Sequence, residues 1–389
     1  MVQYDILIRG GMVIDPASGT QEIQDIYVKD GRIVPPPAPG TDASAEKVIP
    51  AEGCIVTPGL IDAHLHLFES GSQLGGRADL VCPPNGVTTA IDAGSAGLYN
   101  FRAFYEHDVV PSTTTVLATL STTKGGVQMQ PYEEIADPCF AAYDMVAPLF
   151  ARWPDTLVGL KQRVHADVTR EFGLKTLEQA AQTSRRLREE GYRSRLMVHF
   201  GPLDKGIALE DVVSLLSEGD VMTHIYRPAN GTTIFDEDGK VAECIHAARK
   251  RGVVFESGCA RSHLSFDSIR KAFADGFPPE IISTDMIGKT FYWEPSGWLP
   301  LKMSIYLEAG MPLEEIIRAV TASPARVYGL EKQAGSLRIG QPADIAVLRL
   351  IDRERTLDDL YGGSMTLHRL FVPMATVKNG AVVYRQIFL

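Results

Sequence analysis

His64 and His66 stand two residues apart at the end of the apolar run Leu60-Ile61-Asp62-Ala63-His64-Leu65-His66. On a β-strand that spacing turns both imidazoles to one face. Pro58-Gly59 just before the run excludes a continuing helix, so this is a strand-borne pair and not the i, i+4 pair of a helical zinc site. A short His-x-His alone is equally compatible with half-buried structural histidines. What shifts the balance lies downstream, where Lys161, His199, His224 and Asp285 each close a segment of strand length. Imidazole and carboxylate are ligand types for zinc and similar divalent cations. A lysine ammonium cannot ligate, whereas a lysine converted by carbon dioxide to a carbamate offers two anionic oxygens that can bridge two cations. Burial beside cations favours the neutral amine that this conversion needs.

Bringing these residues together demands a particular arrangement of elements. Between the two ends of the chain, strand-like segments alternate with longer helical stretches, the signature of parallel βα units. The strand candidates are residues 60–66, 88–92, 114–120, 156–162, 195–200, 221–226, 253–257 and 280–285, with helices expected over 176–190 and 241–251. Eight such units predict an α/β fold of the (β/α)8 TIM-barrel type, whose chemistry sits at the C-terminal ends of the strands. A doubly wound open sheet fits the same alternation, but no glycine-rich dinucleotide or phosphate loop follows the first strand. In a barrel, His64 and His66 end strand one, Lys161 strand four, His199 strand five, His224 strand six and Asp285 strand eight. Singly, each has a structural reading as a core histidine, an N-cap or an ion-paired lysine; jointly they point to one site.

The two ends read differently. Ile6-Leu7-Ile8, Met12-Val13-Ile14 and Ile26-Tyr27-Val28 look like short strands separated by turns at Gly10-Gly11, Asp15-Pro16 and Asp30-Gly31, and Lys47-Val48-Ile49 resumes pairing after a proline-rich loop. Residues 344–348, 374–378 and 381–384, around Asn379-Gly380, echo them. Neither end can bury a core alone, so the expectation is a flanking β-sandwich built from residues 1–57 and 336–389, with the barrel spanning 58–335.

The 389 residues carry 45% hydrophobic and 22% charged side chains, a globular balance, and a net charge of -10 argues against a nucleic-acid partner. Five scattered cysteines read as reduced thiols. No basic n-region opens the chain and no apolar run reaches membrane-spanning length, so a soluble cytoplasmic protein is expected, with small-molecule substrates, no membrane and room for a homo-oligomer.

Residues 56–66, Val-Thr-Pro-Gly-Leu-Ile-Asp-Ala-His-Leu-His, resemble the first-strand signature of the amidohydrolase superfamily. Residues 321–326, Thr-Ala-Ser-Pro-Ala-Arg, and 335–344, Gly-Ser-Leu-Arg-Ile-Gly-Gln-Pro-Ala-Asp, are similar to its return into the β-sandwich. The resemblance, to the binuclear carboxylated-lysine type, implies that His64, His66, Lys161 and Asp285 hold one divalent metal and that Lys161, His199 and His224 hold a second. Zinc is the first choice, with manganese, cobalt or iron also fitting, and a hydroxide is expected to bridge the two. Asp285 would take the proton and return it to the leaving amine or alkoxide.

Dihydroorotases of that superfamily grip their substrate carboxylate with an arginine two residues after the second histidine; here that position is Phe68. Residues 219–224 and 282–285 instead look similar to a dihydroorotase-like subgroup whose characterised members remove acetyl groups from esters or amides of small carboxylic acids. The expected activity is therefore hydrolysis of an acetyl-type amide or ester, with cyclic amides of the hydantoin, dihydropyrimidine or dihydroorotate kind as the alternative. A one-metal deaminase would have no need of Lys161. Expected substrate contacts are Tyr226, Arg227, Arg261, His263, Lys289 and Tyr292, at the mouths of strands six to eight, with Phe291, Trp293 and Trp298 adding an apolar rim. His165, four residues after Lys161, could line the pocket or cap a loop.

Overall fold

A computed structural model of the protein describes residues 2–127, 133–228 and 231–387. The chain opens with strand β1 (Val2–Asp15), followed by β2 (Thr20–Lys29), β3 (Arg32–Val34), β4 (Ala43–Pro50) and β5 (Ile55–Pro58). β1 joins what were expected to be two strands. Gly10-Gly11 is a bulge rather than a turn: Gly10 takes φ 69°, the register against β2 slips between Ile8 and Gly11, and the strand continues. A side chain at Gly11 would run into Val56, 2.4 Å from its Cγ2, so the bulge also lets β5 approach. Asp30-Gly31 is the expected two-residue hairpin turn, with φ of 49° and 73°.

Seven parallel strands follow: β6 (Leu60–Leu65), β7 (Val87–Ala93), β8 (Thr115–Ser121), β9 (Leu157–Val164), β10 (Arg195–Phe200), β11 (Val221–Thr223) and β12 (Val254–Phe255), each paired with the next in chain order. The expected eighth strand is not a strand. Residues 281–286 touch the two edges of the curled sheet through isolated bridges, Ile281 to Glu256 and Met286 to Leu65. Two of the amides between them bond to side chains instead of to a ladder, Ser283 N to Ser257 Oγ at 3.1 Å and Thr284 N to Asp62 Oδ1 at 3.2 Å, while Ile282 N and Asp285 N donate to the Ala319 and His64 carbonyls. Left-handed backbone at His224 and Asp285, φ 65° and 49°, ends regular pairing at those two mouths. An apolar cluster nevertheless draws on all eight segments, including Ile61, Ile91, Leu117, Val158, Met197, Val221, Val254 and Ile281. Flanking helices include α1 (Lys175–Glu189), α2 (Glu243–Lys250) and α3 (Leu299–Glu308), the first two close to their expected spans.

The chain then returns as β13 (Ile345–Asp358), β14 (Ser364–Lys378) and β15 (Ala381–Arg385). β13 pairs antiparallel with β5, Ile345 opposite Pro58, so both ends of the chain share one eight-stranded sheet with its own buried cluster around Ile8, Val28, Val56, Val347 and Val377. Asp344 and Lys378, both nearly buried, pair at 2.6 Å across this return. The β13–β14 hairpin is far longer than expected. Its charged outer half hides a strand signal, while Leu367, Leu370 and Phe371 pack into the main core and Phe371 N bonds to Ser304 of α3 at 3.0 Å. All five cysteines are free. Among the described residues no helix is long and apolar enough to cross a membrane.

Candidate metal centre

The C-terminal ends of these segments converge on a cavity of about 330 Å³ lined by His64, His66, Lys161, His199, His263 and Asp285, with Leu74, Val127 and Ile287 as apolar wall. His64 and His66 come from the end of β6, Lys161 from β9, His199 from β10, His224 from just past β11, and Asp285 from the bridging segment. Two groups form. His64, His66 and Asp285 offer ligand atoms all within 4.8 Å of one another, as do His199, His224 and His263. Lys161 lies against the first: its Nζ is 3.1 Å from His64 Nε2. Asp285 Oδ1 sits 3.3 Å from Nε2 of both His64 and His66, and its Oδ2 accepts from His263 Nδ1 at 2.9 Å.

In His64, His66 and His224 the outward ring nitrogen is occupied by another partner, which leaves the inward one available to a metal. His64 Nδ1 meets Glu256 Oε2 and Thr223 Oγ1, each at 3.1 Å, and His66 Nδ1 meets Ser95 Oγ at 2.8 Å. His224 Nδ1 donates to the Gly258 carbonyl at 2.6 Å, so its Nε2 carries the lone pair, and that buried atom has no hydrogen-bond partner among the described residues. Asp92 and Asp62 brace the same region from below: Asp92 accepts from Leu67 N and Ser95 N, each at 2.7 Å, and Asp62 accepts from Thr284 Oγ1 at 2.7 Å. An orphaned imidazole nitrogen aimed into a cluster of imidazoles and a carboxylate fits a divalent cation.

The charges tell the same story. Burial, reinforced by neighbouring imidazoles, holds His199 and His224 well below the usual imidazole range, so both are neutral donors. Burial draws Lys161 down to about 8, against the pull of Asp285 and Glu256. For His64, burial and Lys161 act downward but Glu256 and Asp285 outweigh them, and its pKa is raised. Burial acts upward on Asp285 and is outweighed by His64, His263 and His66, which keep its carboxyl well below the ordinary range.

Residues 55–383 match the amidohydrolase family. The chain belongs to that family. It is 28% identical over 381 residues to a deacetylase of Enterococcus faecalis, covering 98% of this chain and 99% of the relative. With a deacetylase of Agrobacterium fabrum the identity is 31% over 330 residues, 85% of this chain and 79% of the relative. Among solved structures, one described as an adenine deaminase superposes with a TM-score of 0.88 at 29% identity, covering 98% and 100% of the two chains. A dihydroorotase superposes with a TM-score of 0.85 at 27% identity, covering 98% and 99%. The protein is therefore an amidohydrolase-family hydrolase of the TIM-type α/β architecture, metal-dependent by family and acting on small molecules.

Family membership does not carry the expected substrate contacts with it, and the structure rearranges them. His263 is far more central than a rim residue, bonding Asp285 and lying 4.0 Å from His224 between ring centroids. Tyr226 is fully buried in the core beside Tyr306, its hydroxyl donating to the Phe277 carbonyl at 3.0 Å, because the left-handed turn at His224 swings the chain away from the cavity. Arg227 lies over the Phe200 ring, 6.0 Å from its centroid, and does not line the cavity. Lys289 and Tyr292 are exposed beyond the wall, Tyr292 at 80%. Phe291 and Trp298 stack edge to face on each other, so the apolar wall is Leu74, Val127 and Ile287 and not the aromatic loop. The backbone of Arg261 forms part of a short turn with His263, and its side chain lies outside the described residues. His165 caps a turn, accepting from Asp167 N at 3.3 Å.

Two neighbours were missed by sequence reasoning. Glu256 is a wholly buried carboxylate at the end of Val253-Val254-Phe255-Glu256, and an acid closing an apolar strand was a readable signal. Arg163 lines the cavity two residues after Lys161 on the same strand, where the period of two places it on the same face.

Proposed function

We propose that the protein is a two-metal hydrolase that cleaves an acetyl-type amide or ester bond in a small carboxylate-bearing substrate. The observation that carries this reading is Lys161, a buried amine poised near neutrality against His64 Nε2 and within the ring of imidazoles. A one-metal deaminase gives such a lysine no task. In this reading Lys161 is carboxylated by carbon dioxide; His64, His66, Asp285 and Lys161 hold one cation, and His199, His224 and Lys161 the other, with zinc the best match to the donors. The closed eight-unit barrel over residues 58–335 and a terminal β-sandwich from 1–57 and 336–389 belong to the same reading. When bound, a pair of divalent cations supplies carbonyl polarisation and a water acidic enough to attack at neutral pH.

The chain's own groups do the remaining work. Asp285 takes the proton of the attacking water and passes it to the leaving amine or alkoxide. His263 donates to Asp285 Oδ2 and so aims that oxygen. Leu74, Val127 and Ile287 receive the apolar part of the substrate, and burial there contributes about 25 cal/mol for each Å² removed from water. The two deacetylase relatives support an acetyl group as the one removed. A cyclic amide is the second reading, favoured by the likeness to the solved dihydroorotase. Dihydroorotate itself is disfavoured, since Phe68 fills the position of the gripping arginine and is buried against Phe104.

Elemental analysis together with a hydrolysis panel tests the proposal. The expected result is close to two divalent cations per chain and turnover of N-acetyl or O-acetyl derivatives of hydrophobic carboxylic acids. One cation with full activity, or preference for dihydroorotate, overturns it.

The lysine also makes the carboxylation step pH-dependent in a distinctive way. With Lys161 at about 8, only about a tenth of the amine is neutral at pH 7 and about half at pH 8. At fixed dissolved carbon dioxide, the reactivation rate of metal-stripped protein should rise about fivefold from pH 7 to 8 and less than about twofold from 8 to 9. A tenfold rise over each of the two steps would mark an ordinary lysine.

A further inference from the structure

The substrate reading leaves one demand unmet, namely a group to hold the carboxylate. Among the described residues, Arg163 is the one arginine lining the cavity. Its position follows from β9: Gln162 faces the opposite way, accepting from Thr122 Oγ1 at 2.5 Å, while Lys161 and Arg163 share the cavity face. The register of β9 on β10 sets Arg163 beside His199. Arg163 is held in place by Glu134, whose Oε2 accepts from Arg163 Nη1, and Glu134 is itself almost buried. That contact uses one nitrogen. Glu134 Oε1 has no partner, and neither Nε nor Nη2 of Arg163 makes a hydrogen bond among the described residues. The Nε/Nη2 edge is the fork a carboxylate binds with two parallel hydrogen bonds.

We infer that Arg163, positioned by Glu134, binds the substrate carboxylate and sets a preference for acids over their neutral analogues. This rests on the hydrolase reading above and gives the carboxylate to Arg163 rather than to Arg227 or Arg261, the two arginines among the expected substrate contacts. The substrate then spans from the cations, where its acyl carbonyl lies, to Arg163 beside His199, with its apolar body along Leu74, Val127 and Ile287. Arg227 lies 6.0 Å from the Phe200 ring centroid and does not line the cavity, so Arg163 is the arginine placed to meet the carboxylate there.

The test compares N-acetylphenylalanine with its carboxamide on metal-loaded protein, in wild type and in Arg163→Met, Arg163→Lys, Arg227→Met and Arg261→Met. Hydrogen bonds to charged groups predict that Arg163→Met lowers kcat/KM for the acid about 10- to 100-fold, mostly through KM, and leaves the carboxamide within about twofold. Arg163→Lys should recover part of the loss, and the other two variants should keep the acid preference. Equal losses on acid and carboxamide, or loss of the preference in Arg227→Met or Arg261→Met instead, overturn the assignment. Calorimetric binding of 3-phenylpropanoate separates this from the hydrolase reading. If neither acetyl compound is turned over but the acid binds wild type and weakens about tenfold or more in Arg163→Met, the anchor stands and the deacetylation reading fails. Absent binding to wild type, or equal affinity in the variant, removes the anchor.

Discussion

Lys161→Ala is expected to lower kcat/KM by more than about 1,000-fold and to take the cation content from near two per chain towards one or none. The size follows from the loss of a shared anionic ligand: a weakened cation forfeits several kcal/mol of charge stabilisation, and about 1.4 kcal/mol is a factor of ten. Lys161 is also buried against His64 Nε2 and Met197 Sδ, at 3.1 and 3.3 Å, so the variant needs a folding control by thermal unfolding. Acetate or propionate added at high concentration should restore part of the activity by occupying the vacated space with a carboxylate. Density for an unmodified ammonium in metal-loaded crystals, or a variant that keeps both cations and full rate, would contradict the carbamate.

The second large effect is expected at Asp285. Asp285→Asn removes the proposed proton acceptor and an anionic candidate ligand with little change of shape, and kcat should fall by about 100- to 10,000-fold, the range for a general acid–base group. His263→Asn should cost less, and its signature is in the pH profile. Asp285 must be ionised to accept the proton, so activity is lost as pH falls through its pKa. The His263 hydrogen bond is one of the causes that depress that pKa. Without it the pKa rises, and the acid limb of kcat/KM should move to higher pH. A His263→Asn profile that only scales down without shifting would assign His263 a packing role instead.

Much of this site could be read before any coordinates, because each candidate ligand lies at or near the end of a strand-like apolar run and the fold brings those ends together. The spacing of His64 and His66, and the position of Lys161, His199, His224 and Asp285 after apolar runs, are local facts that period-two geometry converts directly into facing. The same locality explains the errors. Gly10-Gly11 carries a turn's composition, yet a paired strand on each side turns it into a bulge. Residues 280–285 have a strand's composition, yet the side chains of Ser257 and Asp62 capture the amides of Ser283 and Thr284 from other segments.

Residue types and their order along the chain thus determined the class of fold, the six ligand candidates and the kind of chemistry, since all three depend on periodicity and on which side chain ends which strand. The tertiary structure alone decided which of the polar groups beyond the strand ends face the cavity. Tyr226 follows the candidate ligand His224 in sequence but is buried in the core past its left-handed backbone, and Arg227 lies over Phe200 without lining the cavity. His263, Glu256 and Arg163 reach the centre from separate segments, joined to Asp285, His64 and Glu134 across gaps of 22, 192 and 29 residues. The facing of Arg163 and the strand-end position of Glu256 were readable locally, but which partners they and His263 meet is set by packing between segments far apart in the chain.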